Sequence, residues 1–246
     1  EISECLVGSE MCIRDRADVP TTQYEETMKT DKVDAAKLVR SLKSGLLTGI
    51  YIHKRDDIDA RSVVRLRKTI QKQLGSYKSR VKHLLHSNGV TFPERFSTPG
   101  SHWSKVFIRW LKEEVVLLSA TRTSLDLLIA QVESIRKTLL MATRNVRELS
   151  RSERYRHDYE LLTSIPGVGI NVAMTLLTEI GDINRFHNEK EFASYLGLVP
   201  TSHSSGGKVA HGEKTFRGNK YLGPQIVEAS WVSIYRDRGL GCAYIN

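Results

Sequence analysis

The spacing of apolar positions divides the chain into a long helical part and a mixed final part. Between Asp31 and Ser44 (DKVDAAKLVRSLKS), Val33, Ala36, Leu38 and Leu42 share one face, which predicts an amphipathic helix closed by Gly45. Leu46 to His53 is apolar and β-branched, the pattern of a short edge strand. From Asp56 to Ser87, Val63, Leu66, Ile70, Leu74, Tyr77, Val81 and Leu84 recur at steps of three and four. That is a narrow seam of coiled-coil type, and Asp56, Asp57 and Asp59 at its start suit the positive end of a helix. Asn88 to Gly100 holds two prolines and two glycines and reads as a loop. A third helix is expected over Ser104 to Ser150, where Leu111, Leu118, Leu125, Val132 and Leu139 keep a strict seven-residue repeat, with Val115, Leu128 and Ile135 beside them. Two such helices pack as an antiparallel hairpin, or a dimer shares the seam.

From about Arg154 glycine, proline and polar residues become more frequent, and residues 151–246 read as a separate small domain. Residues 1–16 (EISECLVGSEMCIRDR) show neither helical stripe nor alternation. They look like a non-native leader of the kind a sequencing linker leaves, and are expected to pack poorly on the rest. The fold class expected is mainly α.

Composition sharpens this picture in one respect. With 40% hydrophobic and 26% charged residues the chain has the makings of a globular protein. It has no apolar run of the roughly 18 residues a membrane span needs, so no membrane partner and a cytoplasmic place are expected. Cys5, Cys12 and Cys242 form no CxxC pair, which argues against a zinc ribbon. The net charge of +9 is concentrated: Lys29 to His86 holds fifteen Lys and Arg against five Asp, a local balance of +10. Such a segment is the electrostatic footprint of a phosphate-backbone partner, though a solvated helix face has the same composition.

Three motifs carry candidate chemistry. Ile165 to Gly169 (IPGVG) lies between predicted helices at Asp158 to Ser164 and Ile170 to Ile180, a helix-hairpin-helix pattern. Gly167 and Gly169, with Val168 between them, let the backbone approach a partner and turn N–H groups outward at a helix start, where DNA phosphates bind without sequence readout. A tight turn with no ligand makes the same pattern. His203 to Lys208 (HSSGGK) offers two serines before two glycines, followed by Lys208, His211, Lys214, Arg217, Asn219 and Lys220. Serine needs a base, a metal or cations to attack phosphorus; the cations are here, and His203 and His211 are available as bases. On spacing alone, the same stretch is a flexible loop. Finally, Asp31 and Asp34 in KTDKVDA stand at i, i+3 on one helix face, spaced to share a divalent metal, although Asp31 also suits a helix cap.

Together these residues resemble transposases of the insertion sequence 110 type, the group that includes the Piv and MooV invertases. The resemblance rests on KTDKVDAAKL at 29–38, LLTSIPGVGINVAMTLLTEIGD at 161–182 and YLGLVPTSHSSGGK at 195–208, in the family's order, and covers the chain from about Tyr24 to Asp237. It implies an N-terminal RuvC-like domain of α/β type, whose four acidic residues hold Mg²⁺ or Mn²⁺, joined to a C-terminal domain with a nucleophilic serine. By that resemblance residues 17–55 are the end of the RuvC-like domain, 56–150 a helical linker and 151–246 the transposase domain. Asp31 and Asp34 match the last two acidic positions, and Ser205 matches the nucleophile, with Ser204 in its place if the register shifts by one. The implied chemistry is attack of the serine oxygen on a DNA phosphate. Implied partners are DNA, a guide (bridge or seeker) RNA encoded by the element, and further copies of the chain in a dimer or tetramer. The implied location is the cytoplasm of a bacterium or archaeon, on the nucleoid.

The family's first aspartate and its glutamate lie on strands upstream of the KTD motif. Nothing between Ala17 and Met28 replaces them, Glu25 and Glu26 included. The expectation is a native protein that continues upstream, and an incomplete metal site with little activity in the chain as written. Two other functions fit the same residues: a helix-hairpin-helix module that binds nucleic acid without cutting it, and a metal-dependent junction nuclease in which Ser205 is inert.

Overall fold

A computed structural model describes residues 22, 30–45, 51–205, 208–214 and 218–245. Two compact units divide at residue 52.

The first contributes helix α1 (Asp31–Lys43). Its cap is Thr30, whose hydroxyl accepts the Val33 N–H at 3.3 Å, so Asp31 is the first helical residue and not the cap. Gly45, at φ +67°, ends the turn beyond it as the sequence predicts. Of the edge strand expected over Leu46 to His53, residues 46–50 lie outside the described residues, and 51–54 have no regular structure. The leader, residues 1–16, also lies outside them.

In the second unit, helix α2 (Arg55–Ser87) runs to a connection with two single-turn 3₁₀ segments (Glu94–Phe96 and Pro99–Ser101) and helix α3 (Lys105–Glu113); helix α4 (Ser119–Ser150) then returns along α2. Ala60 and Val64 near the start of α2 pack with Val146 near the end of α4, while Val81 and Leu85 meet Leu125, Ile129 and Val132. The pair is therefore an antiparallel hairpin within one chain. Its buried seam keeps Ile70, Leu74 and Val81 as the spacing predicts and differs toward its ends: Val64 and Leu85 are buried, Val63 and Leu84 only partly, and Leu66 is 58% exposed. A 3.6-residue period sets a stripe to within one position, and the partner helix chooses the phase.

The single helix expected over Ser104 to Ser150 is broken at residues 114–118. Arg122 explains the break. Its guanidinium donates to the carbonyls of Leu111 (2.9 Å), Lys112 (2.9 Å) and Val115 (3.2 Å), taking up the open end of α3, and to Asp126 at 2.6 Å. Leu118, one member of the heptad row, stands at the cap of α4 and is 82% exposed. The short α3 instead turns Phe107 and Trp110 into an aromatic cluster with Phe92 and Phe96 (centroids 5.1–5.9 Å apart), which closes the far end of the hairpin.

At the near end, helices α5 (Glu153–Thr163) and α6 (Ile170–Ile180) pack on the start of α2 through Tyr155 and Met174. Buried Asp57 of α2 joins it to α5, accepting from the Arg154 guanidinium and, at 3.2 Å, from the Tyr155 hydroxyl. A further cluster of Leu176, Ile180, Leu196 and Leu222 seats helix α7 (Glu189–Leu196) and helix α8 (Gly223–Arg236) on α6; helix α9 (Arg238–Ile245) follows α8. Between α7 and α8 lies an antiparallel pair, β1 (Pro200–Ser205) and β2 (Lys208–Lys214). The architecture is mainly helical, with this one strand pair among the described residues.

Candidate functional site

A carboxylate stands where the helix pattern asks for an apolar residue. Glu179, near the end of α6, is fully buried, and a buried charge requires partners. Arg65 of α2 supplies a two-point contact, Nε to Oε1 at 2.6 Å and an η nitrogen to Oε2 at 2.8 Å. Asn219 Nδ2 donates to the same Oε2 at 3.1 Å and to the Tyr195 hydroxyl oxygen at 2.9 Å, and that hydroxyl donates to the Glu179 carbonyl at 2.8 Å. Burial alone would raise the Glu179 pKa, but the hydrogen bonds from Arg65 and Asn219 and the charges of Arg65 and Arg61 outweigh it and hold the carboxyl below its ordinary value.

Beside this network, the cations of α2 divide into two sets. Arg65 is bound to Glu179, Arg67 reaches Thr143 and Gln71, and Lys68 donates to the Tyr221 carbonyl at 2.8 Å. Part of the basic run is thus internal wiring, Arg61, Lys78 and Lys82 are half-buried, and Lys72 and Arg80 face outward. Burial pushes the pKa of Lys68 down, opposed by Glu179 and Glu228.

The IPGVG turn joins α5 to α6 as the sequence predicts, but Gly167 serves a different neighbour. It adopts φ +88°, and a Cβ there would stand 2.3 Å from the Ala229 carbonyl oxygen and 2.8 Å from Ser233 Oγ of α8. Ser233 donates to the Pro166 carbonyl oxygen across the same contact. The close approach that glycine permits is therefore to this chain's own helix. Val168 is half-buried. Gly169, the cap of α6 at φ −92°, is exposed, and a Cβ on it meets nothing within 4 Å.

Ser205 ends β1. It pairs with Lys208, Ser204 pairs with Val209, and Gly206 and Gly207 between them lie outside the described residues. Spacing alone reads HSSGGK as a flexible loop, whereas its described residues belong to two antiparallel strands. Lys208 and Lys214 open and close β2, while Arg217 lies outside the described residues. The ends of this excursion touch: a Cβ on Gly218 would fall 2.2 Å from Gly197 Cα. Lys220 is exposed. Asn219, expected to face nucleic acid, is turned inward instead. Besides its bonds to Glu179 and Tyr195, its Oδ1 accepts the Tyr221 and Leu222 N–H groups at 2.8 and 3.1 Å, which starts α8.

Asp31 and Asp34 occupy the first turn of α1, Asp31 exposed and Asp34 half-buried. Two carboxylates one turn apart offer hard oxygen donors suited to Mg²⁺. No group of three or more His, Cys, Asp or Glu that could hold a metal occurs among the described residues, so the pair is at most part of a ligand set. No described helix is long and apolar enough to cross a membrane.

Glu179 and Arg65 escaped sequence reasoning. A glutamate inside the apolar run AMTLLTEI was a signal of a buried pair, but its partner stands 114 positions away.

Comparison with known proteins agrees with this part of the chain. Residues 159–244, from within α5 to within α9, match the family model described as Transposase IS116/IS110/IS902 family. The chain is similar to a Sinorhizobium fredii protein provisionally named a transposase, with 27% identity over 87% of this chain and 50% of that one. It is also similar to the transposase for insertion sequence element IS1111A of Coxiella burnetii, with 22% identity over 84% of this chain and 55% of the relative. The pilin gene-inverting protein of Moraxella bovis shares 46% identity over 50 residues, 20% of this chain and 16% of that protein. The chain thus spans about half the length of the first two relatives. Residues 159–244 thus match the model of the IS116/IS110/IS902 transposase family, and the chain is similar over most of its length to proteins named as transposases.

Proposed function

We propose that the chain acts in DNA strand cleavage and exchange for an insertion sequence, through Ser205 as nucleophile. The observation that carries this reading is the family match over 159–244, which spans the whole β1–β2 hairpin and so includes the serine–glycine motif. In the step proposed, the Ser205 hydroxyl loses its proton and its oxygen bonds to a DNA phosphorus. The bond from phosphorus to the departing sugar oxygen breaks, and that oxygen takes up a proton. A phosphoserine link to DNA results, and it is resolved when a strand end attacks in turn. Lys208 and Lys214 on β2 bring positive charge to the hairpin that bears the serine, and such charge favours an anionic phosphate.

Residues 17–55 are read as the end of a RuvC-like domain, in which Asp31 and Asp34 would hold Mg²⁺ or Mn²⁺ that stabilises charge on the transferring phosphate. The exposed cations of α2 and the open Gly169 at the start of α6 suit contacts to phosphate backbones that position without reading sequence. Site choice is assigned to a guide RNA encoded by the element. Assembly as a dimer or tetramer would bring the serine of one copy to the acidic residues of another.

The test is to express the chain within its complete reading frame together with the element's flanking DNA, purify it under denaturing conditions and assay for covalently attached DNA. An adduct that Ser205→Ala removes supports serine-nucleophile strand transfer. Cleaved DNA without adduct in either protein points to a metal-dependent nuclease. Bound nucleic acid with neither adduct nor cleavage leaves a binding module.

A further inference from the structure

The serine hairpin is an excursion whose two ends are held at a single place. Gly197, which follows α7 in the left-handed conformation at φ +70°, and Gly218, which follows β2, stand in backbone contact with no room for a Cβ on Gly218. Next to that contact, the Asn219 N–H donates to the Tyr195 carbonyl oxygen at 2.7 Å. The Asn219 side chain then makes four further hydrogen bonds, two outward from Nδ2 to Glu179 and Tyr195 and two accepted by Oδ1 from the start of α8. Glu179 carries the connection to α2 through Arg65. Lys68 extends it, because its ammonium holds the Tyr221 carbonyl one helical turn further along α2. The hairpin base is therefore joined by directional bonds to the long helical hairpin.

A buried ion pair is a weak source of stability, since apolar residues of like volume often serve as well or better. What the pair supplies is direction. Apolar packing permits small slides and rotations, whereas a two-point guanidinium–carboxylate contact and a four-bonded amide do not.

We propose that Arg65, Glu179 and Asn219 are positioning residues for the β1–β2 hairpin: they fix its base to α2 so that the strand end bearing Ser205 is held in one place. As far as the chemistry of Ser205 goes, this rests on the serine reading above; the anchoring itself does not.

The experiment has two readouts on the same proteins. Amide hydrogen exchange is followed peptide by peptide in wild type, Asn219→Ala and the double variant Glu179→Leu with Arg65→Met. Covalent adduct formation and DNA affinity are measured in parallel, with Ser205→Ala as control. In Asn219→Ala, which loses four side-chain hydrogen bonds, exchange in β1 and β2 should quicken by at least about tenfold, the factor a single lost hydrogen bond's worth of local stability gives, while α2 and α4 keep wild-type protection. Adduct formation should slow by at least about tenfold with DNA affinity within about twofold, the split that links orientation to chemistry. The double variant should regain a wild-type melting temperature yet keep the fast hairpin exchange. Wild-type exchange in the Asn219→Ala hairpin would overturn the proposal. So would a double variant that restores the melting temperature and hairpin protection together, because the network would then be ordinary packing. Adduct absent from wild type as well as from Ser205→Ala would sink the serine chemistry, and the exchange data would still decide the anchoring.

Discussion

Gly167→Ala separates the two uses a glycine turn can have. The wild-type residue sits at φ +88°, and a Cβ there would stand 2.3 Å from the Ala229 carbonyl oxygen, 2.8 Å from Ser233 Oγ and 3.1 Å from Ser233 N. Two of these are backbone atoms of α8, so the clash cannot be relieved by turning a side chain. Helix α8 must move off the turn, or the turn must unwind. Placing a non-glycine residue at positive φ costs about 1–2 kcal/mol. Displacing packed backbone costs about 1–3 kcal/mol, and loss of the Ser233–Pro166 hydrogen bond about 1 kcal/mol more. These costs overlap in part, so a destabilisation of about 3–5 kcal/mol is expected. Urea unfolding followed by circular dichroism reads it as a lower midpoint at unchanged slope. Gly169→Ala is the companion: φ is −92° and a Cβ meets nothing within 4 Å, so it should cost under about 1 kcal/mol. If Gly167→Ala falls within about 1 kcal/mol of wild type, the α8 contact does not exist in solution. The reasoning would also fail if Gly169→Ala proved the more destabilising of the two.

Asp57→Ala removes the carboxylate that ties the start of α2 to α5. Because Arg154 is 40% exposed at its side chain and regains water, the loss should be about 1–3 kcal/mol, mostly from the stranded Tyr155 hydroxyl, measured by the same unfolding curves. Buried His53 has its pKa lowered to about 4, by burial first and then by the charges of Arg61 and Arg185. It binds fewer protons folded than unfolded, so its contribution is present above the unfolded pKa and is lost as pH falls through the folded one. Between pH 6.5 and 4.5 wild type should lose about 2 kcal/mol relative to His53→Gln. Parallel stability curves for the two proteins across that window would refute the assignment.

The sequence by itself settled what local chemistry can settle. The stop at Gly45, the extent of α2, the α5–turn–α6 motif and the mainly helical class all follow from spacing and from the conformational demands of single residues, whereas the cap of α1 falls to Thr30 and not to Asp31. The motifs around residues 161–208 pointed to the family that the comparisons then matched over 159–244. Tertiary structure decided which atoms those elements meet. Ile70, Leu74 and Val81 hold the seam that spacing predicts, but at its ends Val64 and Leu85 take the place of Val63 and Leu84 because α4 sets the phase of the stripe. Arg122 split a helix whose heptads read as unbroken, since three open carbonyls are better satisfied by a guanidinium than a weak turn is by continuing. Gly167 and Asn219, whose types suited contact with phosphates, were claimed by α8 and by Glu179. A local pattern records the face a residue presents and the backbone shape it allows; the partner across that face can lie 114 positions away, as Arg65 does from Glu179, and only the folded chain brings the two together.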